Sequence, residues 1–314
     1  MMPTRRSSLV VVACGLFVAA GLASAQRGPA ANPVVKANAT TKIADHTWMI
    51  ADDNVSFVPN VGIVVGANAT LVIDPGLGRA NGEVVRREME KISRNQRVYL
   101  ATTHFHPEHT TGYLAFPPEA QYINSTTQEA EWADSGMQMV QSFSKISPAM
   151  QEMLADAHRR VADVTFDREY TLDLGGVTVR MLMVGPTHTR GDTAFFVEQD
   201  RVLFAGDVVM NHSFLAAGAN ASMKAWMSAF DAFEAWKPTI VVPAHGATGT
   251  GDLIGVNRGF MTEIQTRARA LKAEGRSIDE VAKTVTAELT AKHPDWPRAS
   301  GIANAARSAY TEAP

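Results

Sequence analysis

Three imidazoles and a carboxylate crowd six consecutive positions: His104, His106, Glu108 and His109, in the run Thr102-Thr103-His104-Phe105-His106-Pro107-Glu108-His109-Thr110. Neutral imidazole and carboxylate are borderline to hard donors, typical of zinc and tolerated by iron or manganese. Three more segments place a donor just after an apolar run: Gly185-Pro186-Thr187-His188, Phe204-Ala205-Gly206-Asp207 and Val242-Pro243-Ala244-His245. A lone histidine in such a position is usually a hydrogen-bonded loop residue. Five of the nine histidines placed this way, together with two carboxylates, form a donor set for two divalent ions. His104 and His106 can meet one ion only where the chain between them is extended, and Glu108 and His109 then turn toward a second. His46, His158 and His293 lie in unremarkable contexts, while His212, five positions past Asp207, is a candidate acid or oxyanion donor.

Such donors need a rigid support. Residues 97–103, rich in β-branched and aromatic side chains, read as a buried strand with the His cluster just past its carboxyl end. Upstream, alternating runs at 47–50, 61–65 and 70–74, separated by Asn and Gly, predict an antiparallel meander. Val85, Met89 and Ile92 then recur at helical spacing within residues 81–93. A second β series is expected at 177–184, 193–197, 202–205 and 239–242, with a helix at 223–236 before its last strand. Residues 125–160 are polar and rich in Met and Gln and read as a helical insertion. It is either a surface hairpin or a lid with Trp132, Met137, Met139 and Phe143 beneath it. From 251 onward the chain reads as helical, with Gly275 as a stop and Ser277-Ile278-Asp279-Glu280 as a capping box. The apolar stripe of that last helix, Ile278, Val281, Val285 and Leu289, suits core or a dimer surface. Two β-rich halves, each followed by helices, imply an α/β fold of two sheets packed face to face with helices outside.

A chain of 314 residues, 46% hydrophobic and 19% charged, with net charge −3, can bury a large core and lacks the basic footprint of a nucleic-acid or anionic-membrane binder. A small-molecule substrate is the expected partner; the oligomeric state is left open. Arg5 and Arg6 precede an apolar run at 9–22, then Ala23-Ser24-Ala25, the pattern of a signal peptide cleaved after Ala25. Export by the Sec or the twin-arginine route, to the periplasm or beyond, is therefore expected. The single cysteine, Cys14, lies within that signal, so any metal must be held by His and carboxylate alone. The reading divides the chain into a signal (1–25), a flexible lead (26–40), a main domain (41–250, with the 125–160 insertion) and a helical C-terminal segment (251–314).

Taken over residues 55–246, the ordered motifs resemble those of the metallo-β-lactamase fold superfamily, with Asp74 as one of five. That resemblance implies an αβ/βα four-layer sandwich with the site at one edge of the sheets. It also implies a first metal on His104, His106 and His188, a second on Glu108, His109 and His245, and Asp207 bridging both. Two zinc ions so held would lower the pKa of a shared water to roughly 7, making it nucleophilic without a protein nucleophile. The family pattern carries Asp where this chain has Glu108, one methylene longer, which puts the second metal's geometry in question. Glu108 could also orient the water or shuttle a proton. Asp at 207, where β-lactamases of the superfamily usually carry Cys or Ser, and no lysine close behind it, resemble the exported hydrolases of esters, thioesters and lactones. The expected activity is an exported dizinc hydrolase of an ester, thioester, lactone or β-lactam. The alternatives are a β-lactamase proper and an iron-dependent sulfur dioxygenase.

Overall fold

The computed structural model describes residues 32–313; the signal peptide and the first part of the lead lie outside the described residues. Twelve strands, among those residues, form two sheets. The first contains β1 (Thr40–Lys42), β2 (Thr47–Ile50), β3 (Val61–Val65), β4 (Ala69–Ile73), β5 (Arg97–Ala101), β6 (Gln121–Ser125) and β7 (Val164–Phe166), in that spatial order. Its first four strands are antiparallel, joined by short turns except for the ten-residue loop between β2 and β3, and its last three add in parallel through crossovers. The second sheet contains β8 (Glu169–Asp173), β9 (Thr178–Met183), β10 (Thr193–Val197), β11 (Val202–Gly206) and β12 (Ile240–Pro243); only its last pair is parallel.

Period-two alternation decides how the layers stack. Leu71 and Ile73 of β4 face Phe195 and Val197 of β10 and Val202 and Phe204 of β11, forming the core between the sheets. The intervening Val72 points to the outer face of the first sheet. There it packs with Val85 and Met89 of α1 (Gly78–Ile92) and with Trp132, Val140 and Met150 from the 125–160 region. Leu203 and Ala205 of β11 and Phe196 of β10 point the other way, onto α6 (Met223–Trp236), α7 (Asp252–Ala273), α8 (Ile278–Lys292) and α9 (Ser300–Glu312). The result is the four-layer αβ/βα sandwich. Val281, Val285 and Leu289 of α8 are buried in this last core, so the stripe is core and not a dimer surface. The Ser277–Glu280 capping box forms, and Gly275 takes φ +79° after α7.

Several elements differ from the sequence expectation. Two strands precede the second β series as expected from residue 177: β7, which completes the first sheet, and β8, which opens the second; β7 has only three residues and β8 is of mixed composition, and both are ordered by pairing rather than by their own pattern. β6 was also not expected: its Asn124 and Ser125 are buried polar residues satisfied by hydrogen bonds. The 125–160 region holds α3 (Thr126–Glu131), a π-helical turn (Trp132–Gly136), α4 (Met137–Ser144) and α5 (Pro148–Met153). The expected underside of a lid is not one surface. Trp132 is core, Met137 is exposed, and of the four residues only Phe143 lines the cleft described below.

Candidate metal centre

The donors all leave strand ends at one edge of the sandwich. Past β5, Pro107 restricts the residue before it to extended backbone, and His106 takes φ −62° and ψ 147° as N-cap of α2 (Pro107–Thr110). His106 is therefore extended, and the bend through residues 103–106 brings the imidazoles of His104 and His106 to one point, their rings 4.6 Å apart. The first turn of α2 then carries Glu108 and His109. Gly206 ends β11 at φ +60°, against Thr103, and aims Asp207 into the same space. The loop after β9 brings His188 and the one after β12 brings His245. Each of these loops is clamped. Asp192 accepts from the Thr189 amide at 2.8 Å and from the Thr187 and Thr189 hydroxyls; Glu131 of α3 accepts from the Arg190 and Gly191 amides at 2.9 and 2.7 Å. On the other loop, Asn60 donates to the carbonyls of Pro243 and Gly246, and Asp52 accepts from the Gly246 amide.

Two triads result. Ligand atoms of His104, His106 and His188 lie within 4.8 Å of one another, and so do those of Glu108, His109 and His245. The triads adjoin, with the rings of His104 and His109 4.0 Å apart. Tautomers follow from the partners of the far nitrogens, because a carbonyl or carboxylate can only accept. His188 Nδ1 donates to the Ala216 carbonyl, His245 Nδ1 to the Val58 carbonyl at 2.8 Å, and His109 Nδ1 to Asp74 at 2.9 Å. The Thr103 hydroxyl donates to Asp74, so it accepts from His104 Nδ1. In the first triad the Nε2 lone pairs of His104 and His188 thus converge on His106 Nδ1, at 3.1 and 3.3 Å, with at most one hydrogen among three nitrogens when the rings are neutral. Around the second, Glu108 Oε2, His109 Nε2, Asp207 Oδ1 and His245 Nε2 are buried with no hydrogen-bond partner among the described residues. Buried polar atoms are seldom left so, and two carboxylate oxygens with two imidazole nitrogens in one place fit a cation, the His109 ring giving up its Nε2 proton to bind it.

The electrostatics agree. Burial, then the neighbouring imidazoles, hold His104 and His106 well below their ordinary value, and burial takes His245 down to about 3, so these rings stay neutral and able to ligate. Burial alone would lower His109 too, but the charge and hydrogen bond of Asp74, with Glu108 and Asp207 behind them, push it up to about 9. Burial raises Glu108; it would raise Asp207 as well, but Arg298 and the imidazoles hold that carboxyl well below its usual range. Asp74 ties the halves together at φ +55°, a conformation sparsely populated outside glycine, accepting from the Thr103 amide at 2.7 Å besides holding His109.

All seven residues singled out from the sequence line this edge, with Asp74 directly behind them. His212 is exposed, on the cleft rim beside Trp296, 6.2 Å between rings, and makes no contact with the triads. Two features were not foreseen. Arg298, from the turn between α8 and α9, donates to Asp207 Oδ2 at 2.6 Å, although it is 91 residues away. Phe57, from the β2–β3 loop, meets Phe143 edge-on at 5.2 Å and walls the cleft beside His106. The cleft encloses about 720 Å³, in the range of small-ligand sites.

The family model of the metallo-beta-lactamase superfamily matches residues 56–245, more than half of the chain. The chain belongs to this superfamily. Solved structures of similar fold include the metallo-beta-lactamase from Pontibacter korlensis, at 21% identity and TM-score 0.55, covering 69% of this chain and 94% of that one. The DIM-1 metallo-beta-lactamase exposed to ceftazidime is 16% identical with TM-score 0.57, covering 72% of this chain and 96% of that one. A double mutant of the sec-alkyl sulfatase PisA1 is 13% identical with TM-score 0.64, covering 87% of this chain but 49% of that one. At these identities the likeness is one of fold. No curated protein matches the sequence. At the level of the superfamily, the chain has a hydrolase-type metallo-β-lactamase fold with His and Glu groups that could hold metal.

Proposed function

We propose that the protein is an exported zinc-dependent hydrolase that opens an ester, thioester, lactone or β-lactam bond in a small substrate. The observation that carries this reading is the set of four orphaned buried atoms on Glu108, His109, Asp207 and His245, beside three imidazoles turned to a common point. A donor set of five imidazoles and two carboxylates, with no thiolate, suits zinc. His104, His106 and His188 would hold one ion, Glu108, His109 and His245 the other, with Asp207 between. Zinc bound there supplies Lewis acidity and a water ionisable near neutral pH, with a pKa of roughly 7.

The chain's own residues do the rest. Asp74, Thr103 and the carbonyls of Val58 and Ala216 fix the imidazoles so that each Nε2 faces the site without rearrangement. The carboxylate of Glu108, 7% exposed and raised by burial, is placed to orient a water or carry its proton. Phe57 and Phe143 give the substrate an apolar wall and exclude water from one side of the cleft.

The test is metal quantification on the purified full chain, beside a panel of chromogenic esters, thioesters, lactones and β-lactams. About two zinc per chain with turnover of one of these classes supports the proposal. One tightly bound iron, with oxygen uptake on a persulfide and no hydrolysis, would replace it with the dioxygenase reading.

A further inference from the structure

Arg298 is a cation standing where a metal centre needs anions. Among the described residues lining the cleft it is the one guanidinium or ammonium group. Its backbone is anchored: the Pro297 carbonyl accepts from the Phe214 amide at 3.2 Å, and Trp296 stacks on His293 at 4.1 Å and packs on Phe214. Three residues on, Gly301 presses against Ala216, with room for no side chain at all. The side chain is 30% exposed, and its one hydrogen bond to the described residues goes to Asp207 Oδ2 at 2.6 Å, so no second acid draws it away. That same oxygen lies 3.5 Å from His188 Nε2, leaving Oδ1 as the oxygen without a partner. Asp207 therefore offers incoming cations one free oxygen and one already held.

We propose that Arg298 acts as a tethered cation that makes the two metal equivalents of this centre unequal, keeping the second at markedly weaker affinity than the first. The inference rests on the metal-hydrolase reading above. The buried carboxylates around the two ions are Glu108, Asp207, Asp74 behind His109 and Asp52 on the cleft wall. Arg298, which does not shed its proton and which Asp207 holds still more firmly charged, cancels one of these four negative charges and occupies one oxygen of Asp207, so an ion arriving second meets the first ion and a fixed cation together, against a reduced anionic balance. At the short range and low polarity of a buried site, a neighbouring unit charge weakens a divalent cation's binding by at least about tenfold. Arg298 thus sets the zinc concentration at which the centre fills completely.

The experiment uses the full chain stripped with chelator and then titrated with zinc alone. Bound equivalents are counted by native mass spectrometry and affinities measured by competition with a chromophoric chelator. In the unsubstituted protein the second equivalent is expected to bind at least about tenfold more weakly than the first. Arg298→Gln and Arg298→Met should each tighten the second equivalent by at least about tenfold while moving the first much less; Arg298→Lys, which keeps the charge, should not tighten it. Two equal affinities in the unsubstituted protein, a measurement that needs no variant, would overturn the inference and leave the metal-hydrolase reading intact. A second equivalent that is unchanged or weaker in both uncharged variants, each shown folded by its thermal transition, would also overturn it and assign Arg298 to holding Asp207 in place. Uptake of no zinc by the unsubstituted protein would instead remove the reading beneath it.

Discussion

Replacing Asp74 with Asn isolates the contribution of one buried ion pair to both stability and metal capture. His109 and Asp74 are 0% and 1% exposed and 2.9 Å apart, so solvent screens their attraction little. Burial disfavours the imidazolium, yet Asp74 first, with Glu108 and Asp207 behind it, raises His109 from 6.5 to about 9. Because the folded value lies above the unfolded one, the stabilisation is fully present below pH 6.5 and is lost as pH rises through about 9. At about 1.4 kcal/mol per pKa unit, the displacement corresponds to about 3 kcal/mol. The expectation is that chelator-treated Asp74→Asn unfolds at lower urea concentration than the unsubstituted protein. The gap should be widest, about 3 kcal/mol, near pH 6.5 and should narrow toward about pH 10. Taking the difference between the two proteins cancels the slopes of the other titrating groups. His104, His106 and His245 are shifted downward and titrate on the acid side of this window in any case. The same substitution turns an amide toward His109 Nδ1 and frees the ring's orientation, which should weaken zinc binding by about 10–100-fold. A stability gap that is constant with pH, together with unchanged zinc affinity, would refute the reasoning.

Three further sets of substitutions probe other parts of the centre. His106→Ala or His188→Ala should remove one zinc equivalent and lower hydrolysis by at least about 100-fold; retention of both metal and turnover would overturn the ligand grouping. Glu108→Gln preserves shape but withdraws the anionic oxygen from the second triad, so one equivalent should weaken by at least about tenfold while the other holds, as read by the same zinc competition. Phe57→Ala combined with Phe143→Ala should raise KM for substrates bearing an apolar group by about fivefold, at about 1 kcal/mol for the apolar wall withdrawn from the substrate, with kcat little changed. An equal fall in kcat would show that the pair acts on chemistry rather than on binding.

Legibility in the sequence followed the range over which each interaction acts. The His104 to His109 run carries its own geometry, because Pro107 enforces the extended backbone before it and the helical turn after it. His188, Asp207 and His245 could be found because each follows an apolar strand: β11 and β12 are buried almost throughout and announce themselves by composition, and β9, though it alternates, ends in Met181-Leu182-Met183. β6, β7 and β8 were hidden for the complementary reason. Their residues are mixed, and what makes them strands is a neighbour already in place: Ile123 pairs with Ala101 and with Val164. Trp132 shows the same limit within a helix. Its surroundings read as polar surface, yet it is 1% exposed, because the far face of the first sheet needed covering.

Arg298 lies at the end of that scale. Nothing near it in sequence marks it: it stands in a short turn of the helical tail, three residues after an aspartate and between Pro297 and Ala299. Its position depends on α8 and α9 packing with α7 on the outer face of the second sheet, so that the turn between them reaches the cleft edge. Residue types alone supplied the anions and neutral donors of the centre, because those must cluster to bind a cation. They could not supply the one group that opposes binding, since a lone arginine gains its meaning only from Asp207, 2.6 Å away. The C-terminal helices lie beyond the stretch matched by the family model, which ends at residue 245, and through Arg298 they join the charge balance of a centre assembled entirely within that stretch. If the affinities of the two metal equivalents depend on Arg298, then helices whose packing reads as purely structural set a chemical property of the site. Variation in this tail among proteins with the same seven donors should then alter zinc stoichiometry without altering a single ligand.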